Sequence, residues 1–272
     1  MKRRRRKVRF KLETKGRGPW FRVRKAVEKA NVVLEVLDAR DPSATRSPDL
    51  EGLVKSLNKK LLLVLSKADL VPRSAVKKWV ERLKSSGHAA IPVNAKDGRD
   101  MERLKGKVRR LVGGKTAVLV VVGYPNVGKS TLINGLKGRY VAETSPVPGF
   151  TKGEKLVKVD DGLLIVDTPG ILPSRRLSLR ELALRGFVPP EKLRNPVTPA
   201  LKLLSEILEA MPRLLEETYG VKAKDPYDAL KFLAARRGFL VKGGELNVDE
   251  AARVVLRDWQ SGKLKFYKLP EG

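Results

Sequence analysis

The chain has 272 residues, 58 Lys and Arg against 30 Asp and Glu, one histidine and no cysteine. That length suits about two domains, while the missing cysteines exclude disulfides, thiol catalysis and cysteine-ligated metals and a lone His88 speaks against zinc catalysis or a Ser-His-Asp triad. A formal net charge of +28 calls for a polyanionic partner, of which nucleic acid is the commonest inside a cell.

Residues 1–18 hold ten basic side chains and one acidic one, a basic arm too charged to fold alone. Met1 to Lys7 is followed by no apolar stretch, so it does not read as a secretory signal. The longest apolar runs fall far short of the ~20 residues of a membrane helix. We therefore expect a soluble, cytoplasmic protein with no membrane contact, and a monomer. Val32 to Leu37, Leu61 to Leu65 and Ala117 to Val122 read as buried strands, and Ala89 to Val93 as a short strand. Helical periodicity covers residues 49–59, Arg73 to Ser86, Arg99 to Val112 and Lys129 to about Gly138. Gly113-Gly114-Lys115 is a flexible joint. Lys155 to Val159 and Leu163 to Asp167 form a hairpin across Asp161-Gly162. Strands alternating with helices imply an α/β fold with a mostly parallel sheet covered on both faces. After Pro173 the β-branched runs stop. Leu201, Leu204, Ile207 and Leu208, then Tyr227, Leu230, Phe232 and Leu233, then Ala251, Val254, Val255 and Trp259 recur at helical spacing, as in a second, all-α domain. The expected division is 1–18, 19–173 and 174–272.

Gly123-Tyr-Pro-Asn-Val-Gly-Lys-Ser130 satisfies G-x-x-x-x-G-K-[ST] in full, between a buried strand and a helix. Backbone N–H groups of the loop and the helix N-terminus, from Asn126, Val127 and Gly128 to Thr131, are expected to cradle phosphates. Lys129 would neutralise β- and γ-phosphate charge, and Ser130 would place its hydroxyl on Mg²⁺. Asp167-Thr-Pro-Gly170 closes the next hairpin: Asp167 can hold Mg²⁺ through water, and the Gly170 N–H can reach the γ-phosphate. Thr151, in Pro148-Gly-Phe-Thr151, is the candidate for the second hydroxyl on Mg²⁺, with Thr144 and Ser145 as nearby alternatives.

Guanine needs a carboxylate that accepts from both N1–H and the 2-amino group. Ser66-Lys-Ala-Asp69 supplies Asp69, with the Lys67 stem to pack on the base. Asn94-Ala-Lys96 follows the next strand, and its Ala95 N–H can meet guanine O6. Adenine lacks the two donors that Asp69 needs, so GTP and GDP are the expected ligands. Ser66 stands where Asn is usual, and its hydroxyl can still bond the phosphate loop.

The order of these boxes is reversed: base recognition at 66–69 and 94–96 precedes the phosphate loop. A sheet cut between two strands can be rejoined at a permissive joint, and Gly113-Gly114 is one. This arrangement resembles the circularly permuted P-loop GTPases of ribosome assembly, the YlqF/YawG group. Leu37-Asp-Ala-Arg-Asp-Pro42, Pro148-Gly-Phe-Thr-Lys152, Asp167-Thr-Pro-Gly-Ile171, Asn195-Pro-Val-Thr-Pro199 and Asp258-Trp-Gln-Ser-Gly-Lys263 are similar to its nucleostemin-like branch, over residues 20–270. The resemblance implies a GTP-hydrolysing factor that binds rRNA on the maturing large ribosomal subunit, with residues 174–272 as a helical RNA-binding domain. Asn126 resembles the Asn that holds K⁺ in potassium-stimulated GTPases, which adds K⁺ to Mg²⁺ and GTP. The Pro-Gly-His-Met stretch of bacterial members is absent, since the comparable region reads Gly18-Pro-Trp-Phe21. No catalytic role passes to His88, which is expected at the surface. Ile171 stands where classical GTPases have a water-orienting Gln, so intrinsic hydrolysis should be slow. Lys129, Asn126, Thr151 and Gly170 are the expected catalytic set; Arg175 and Arg176 could act in cis, but two Arg at this place more often contact RNA or face solvent. The rival is a non-enzymatic rRNA-binding scaffold that uses GTP for stability. Asp38-Ala-Arg40 has two readings: coupling to the switch region or rRNA, or a local pair that fixes a strand end.

Overall fold

The computed structural model describes residues 19–137, 156–160, 162–166, 179–184 and 186–271. Among these, β1 (Val32–Asp38), β2 (Lys60–Ser66), β3 (Ala90–Pro92), β4 (Ala117–Val122), β5 (Leu156–Asp160) and β6 (Leu163–Val166) form one sheet in the order β3-β2-β1-β4-β6-β5. All neighbours are parallel except β5, which runs antiparallel to β6 at the edge. The apolar runs of β1, β2 and β4 suit this position, because a parallel strand is covered on both faces. All seven residues of β1 are buried, Glu35 included.

Six helices flank the sheet: α1 (Pro19–Lys29), α2 (Pro42–Thr45), α3 (Pro48–Ser56), α4 (Arg73–Ser85), α5 (Gly98–Leu111) and α6 (Lys129–Lys137). Val23 and Val27 of α1 and Leu50 and Val54 of α3 pack with Val33, Val120 and Val166. Ala75, Trp79 and Leu83 of α4 pack with Leu37, Leu63 and Leu65. Helix α1 lies outside the elements expected from periodicity. Arg22, Arg24, Lys25, Glu28 and Lys29 dilute its apolar stripe, which the strands beneath reveal. Asp41 and Ser47 cap α2 and α3 by accepting from Ala44 N–H and Leu50 N–H, the usual satisfaction of first-turn donors. Gly113 and Gly114 take φ of 65° and 74° between α5 and β4. Two consecutive left-handed residues suit glycine, so the joint between the exchanged halves is a tight turn.

The second unit contains α7 (Leu179–Leu184), α8 (Val197–Ala210), α9 (Leu214–Tyr219), α10 (Pro226–Arg237) and α11 (Val248–Ser261). Leu203, Leu204, Ile207, Leu230, Leu233, Val255, Leu256 and Trp259 build its core. Tyr227 and Phe232 share the expected apolar spacing of α10, yet they are 45% and 50% exposed. A bridge between Leu240 and Leu246 adds a short extended element to an otherwise helical unit. The unit ends at Phe266, not at the expected residue 272, and the chain from Tyr267 belongs with the sheet unit. There the Trp79 indole N–H donates to Lys268 O at 2.7 Å, and Lys268 N–H donates to Arg40 O at 2.8 Å. No helix among the described residues is long and apolar enough to cross a membrane.

Candidate nucleotide-binding site

The strand order reverses between β1, which leads outward to β2 and β3, and β4, which leads to β6 and β5. Open α/β sheets bind ligands at the carboxyl ends of the strands beside such a switch point. Glu35 is level with Val122, the last residue of β4, so the phosphate loop leaves its strand beside Val36. A Cβ on Gly123 would lie 2.6 Å from Val36 O. Asn126 is left-handed at φ 60°, and Val127 is buried. Gly128, at φ 103°, meets Ser66: a Cβ there would come within 2.5 Å of Ser66 Oγ. Backbone sign and the close approach both demand glycine. The loop is thus seated on the residue that opens the base-recognition box. Lys129 Nζ donates to Tyr124 O at 2.6 Å, across its own loop. Ser130 and Thr131 are exposed in the first turn of α6, where amides and helix dipole favour an anion.

Ser66 ends β2 and is buried. Lys67 follows in the left-handed region, at φ 59° and ψ 32°. Asp69 is exposed on the short turn Ala68–Leu70. Ala68 N–H donates to Val93 O, which ties this box to the end of β3. Asn94 Oδ1 accepts from Lys96 N–H at 3.1 Å, and Asn94 N–H donates to Asp100 Oδ2 at 2.8 Å. Ala95 is buried and Lys96 exposed. A Cβ on Gly135 of α6 would collide with Ala95 O and crowd Met101 Sδ. The helix of the phosphate loop therefore docks on the second base-recognition loop through a bare backbone. Sequence reasoning passed over Gly135; its signal was a glycine inside a helical pattern, which marks close packing. A cavity of about 820 Å³ opens beside Asp69 and Asn94 between α4 and α5, with Arg73, Lys77, Arg99 and Arg103 on its walls.

Two polar networks line β1, one at its carboxyl end and one at mid-strand. Arg40 Nε and Nη2 donate to Asp38 Oδ1 and Oδ2 at 2.9 and 2.7 Å, and Lys67 Nζ donates to Asp38 Oδ2 at 2.8 Å. Burial works to raise the Asp38 pKa, but the Arg40 hydrogen bond and the charges of Arg40 and Lys67 outweigh it and hold the carboxyl at about 2. Further down the strand, Glu35 Oε1 accepts from Ser47 N–H at 2.7 Å, while Oε2 is buried with no hydrogen-bond partner. Burial, reinforced by the nearby Glu51 charge, pushes the Glu35 pKa up to about 8. Arg46 grips Glu51 with two bonds, at 2.8 and 2.6 Å, and its Nη2 lies 3.0 Å from His88 Nε2. His88, expected at the surface, has a side chain 24% exposed within this group. A contact 42 residues away in sequence left no local signal.

Thr144, Ser145, Thr151, Asp167, Gly170, Ile171, Arg175, Arg176 and the arm 1–18 lie outside the described residues. Of the expected Mg²⁺ ligands, Ser130 is described. An exposed hydroxyl in the first turn of the phosphate-loop helix is the hard oxygen donor that Mg²⁺ takes.

Sheet order and loop placement define a P-loop GTPase domain whose chain runs in circularly permuted order. Residues 118–198 match the family described as 50S ribosome-binding GTPase, a match that begins with β4. An uncharacterized GTP-binding protein of Methanocaldococcus jannaschii is 38% identical over 91% of this chain and 66% of its own length. The guanine nucleotide-binding protein-like NSN1 of Arabidopsis thaliana is 35% identical over 90% of this chain and 47% of its own. The GNP-bound YlqF structure from T. maritima superposes with a TM-score of 0.63 at 28% identity, covering 89% of this chain and 92% of that one. The chain belongs to the circularly permuted GTP-binding proteins of the YlqF and nucleostemin-like type. It spans about two thirds of its archaeal relative and about half of the plant one.

Proposed function

We propose that this protein hydrolyses GTP and acts on the maturing large ribosomal subunit by binding rRNA. The observation that carries the nucleotide reading is the seating of Gly128 against Ser66, which joins phosphate loop and base box in one site. In this reading Asp69 accepts from guanine N1–H and the 2-amino group, and Ala95 N–H faces O6. Lys129 exchanges its bond to Tyr124 O for the phosphates and neutralises the charge that develops on them. Ser130, Thr151 and Asp167 would hold Mg²⁺, which would supply further charge neutralisation there. Gly170 N–H meets the γ-phosphate, and Asn126 would hold K⁺ and so add positive charge at the site. The ribosomal partner is supported by the description of the matching family and by a net charge of +28. The helical unit and the basic arm carry the RNA contact, in a protein that is monomeric and cytoplasmic.

Turnover measured in K⁺ and in Na⁺, with and without large subunits, tests this reading. We expect slow hydrolysis by the protein alone, faster in K⁺, and stimulation by subunits. Binding of guanine nucleotide without turnover under any of these conditions would leave the scaffold reading, which Ile171 in place of Gln favours.

A further inference from the structure

β1 and β2 pair with Asp38 level with Ser66, so the last residue of one strand stands beside the first residue of the base-recognition box on the other. The side-chain contacts of Asp38 exceed what a strand end requires. Arg40 alone satisfies both oxygens of Asp38 and adds its own backbone N–H to Oδ1 at 3.1 Å. Asp38 N–H is separately satisfied by Thr45 Oγ1 at 3.0 Å. Lys67 nevertheless brings a second cation to the same carboxylate, at 2.8 Å, although Arg40 is 2% exposed and the Lys67 side chain 23%. Burial pulls the Lys67 ammonium below its ordinary range, Asp38 opposes that pull, and Arg40 adds to it. A solvated lysine would avoid both penalties. Its backbone is also held in the left-handed region, which residues with a Cβ adopt at a cost. Lys67 is therefore pinned at both ends, with its four-carbon stem drawn between the box and the end of β1.

On the reading of Lys67 as the residue that packs on guanine, this pinning has a purpose. A free lysine stem must give up rotamer freedom when a base arrives, whereas a stem already held gives up little. We propose that Asp38, oriented by Arg40, is a positioning residue of the guanine site: it anchors the Lys67 ammonium so that the stem is set before nucleotide binds. Asp38 itself touches no part of the ligand. The anchor acts on the base side, so it strengthens GDP and GTP analogue by the same factor.

The test is a double-mutant cycle on nucleotide affinity, read by fluorescent GDP and a fluorescent non-hydrolysable GTP analogue on the full chain. Lys67→Met keeps an apolar stem but cannot be anchored, and it leaves the Asp38–Arg40 pair whole. Asp38→Asn keeps an acceptor for Arg40 but removes the charge that holds Lys67. Each is expected to weaken both nucleotides by up to about tenfold, the cost of ordering one rotamer-rich side chain on binding. The double variant should be no weaker than either single one, because the same anchor is lost once. A strand-end role without the anchor predicts otherwise: Lys67→Met would bind like the wild type, or the two losses would multiply. Either result overturns the proposal, and the Lys67→Met arm decides it even if Asp38→Asn does not fold. Wild-type protein that binds no guanine nucleotide would instead sink the nucleotide reading, and the inference with it.

Discussion

The two units bury very different chemistry. Among the described residues, every buried charged, serine or threonine side chain, namely Glu35, Asp38, Arg40, Thr45, Ser47 and Ser66, lies on β1, between β1 and the cap of α3, or at the end of β2. The helical unit closes over Leu203, Leu204, Ile207, Leu230, Leu256 and similar residues. An apolar core gains from burial in proportion to area and tolerates conservative exchange. A buried charge must be paired and hydrogen-bonded or it destabilises the fold. Polar groups concentrated at the carboxyl end of one strand, beside the phosphate loop, mark where the molecule accepts that penalty for geometry.

Breaking the densest part of the polar network should have the largest effect. Arg40→Ala leaves Asp38 with Lys67 as its remaining side-chain cation and removes a buried guanidinium. We expect a loss of about 3–5 kcal/mol, as when one partner of a buried pair is deleted, read as a lowered urea midpoint.

Glu35→Gln tests the opposite case, a buried acid whose charged form is penalised. With its pKa raised from 4.5 to about 8, Glu35 binds its proton more tightly in the folded state. The stability this contributes is complete below the unfolded value and is lost as pH climbs through about 8. Wild-type stability should therefore fall across that window. The Gln variant should match it near pH 4.5 and exceed it at pH 9 by about 2–4 kcal/mol. Denaturation curves at the two pH values check this, and parallel pH profiles would show that Glu35 is charged when folded.

Ending the chain at Phe266 probes the return of the C-terminal segment to the sheet unit. It removes Tyr267 from the cluster around Trp79 and takes away the acceptor of the Trp79 indole N–H. A stranded donor costs about 1–3 kcal/mol, which thermal unfolding of the truncated protein would register. The smallest effect belongs to the helical unit's surface. Asp225 Oδ1 accepts from Tyr227 and Asp228 N–H at 2.8 and 3.0 Å, so Asp225→Ala should lower stability by about 1 kcal/mol without a change in nucleotide affinity. A comparable loss of nucleotide binding would break the separation between the two units.

What could be read from the chain was whatever its neighbours in sequence decide. Apolar runs at 32–37, 61–65 and 117–122 are strands because no other element buries such a run so fully. The phosphate loop is legible because its glycines, lysine and hydroxyl are contiguous. Asp161-Gly162 announced the hairpin, and the reversed order of the boxes announced the permutation. Helix α1 escaped because five charged residues interrupt its stripe, and its burial depends on β4 and β6. Phe232 misled because α10 is apolar on more than one side, and packing chose which side to cover. Asp38 and Arg40 were legible as a local pair, but the third member was not. Lys67 lies 29 residues on, and it meets Asp38 because the β1–β2 register sets Asp38 level with Ser66. His88 beside Arg46, Gly135 against Ala95 and Lys268 against Arg40 belong to the same class. Short-range pattern follows from backbone sterics and side-chain periodicity, which the sequence states outright. Contacts across tens of residues follow from register and helix docking, which exist once the whole core has closed.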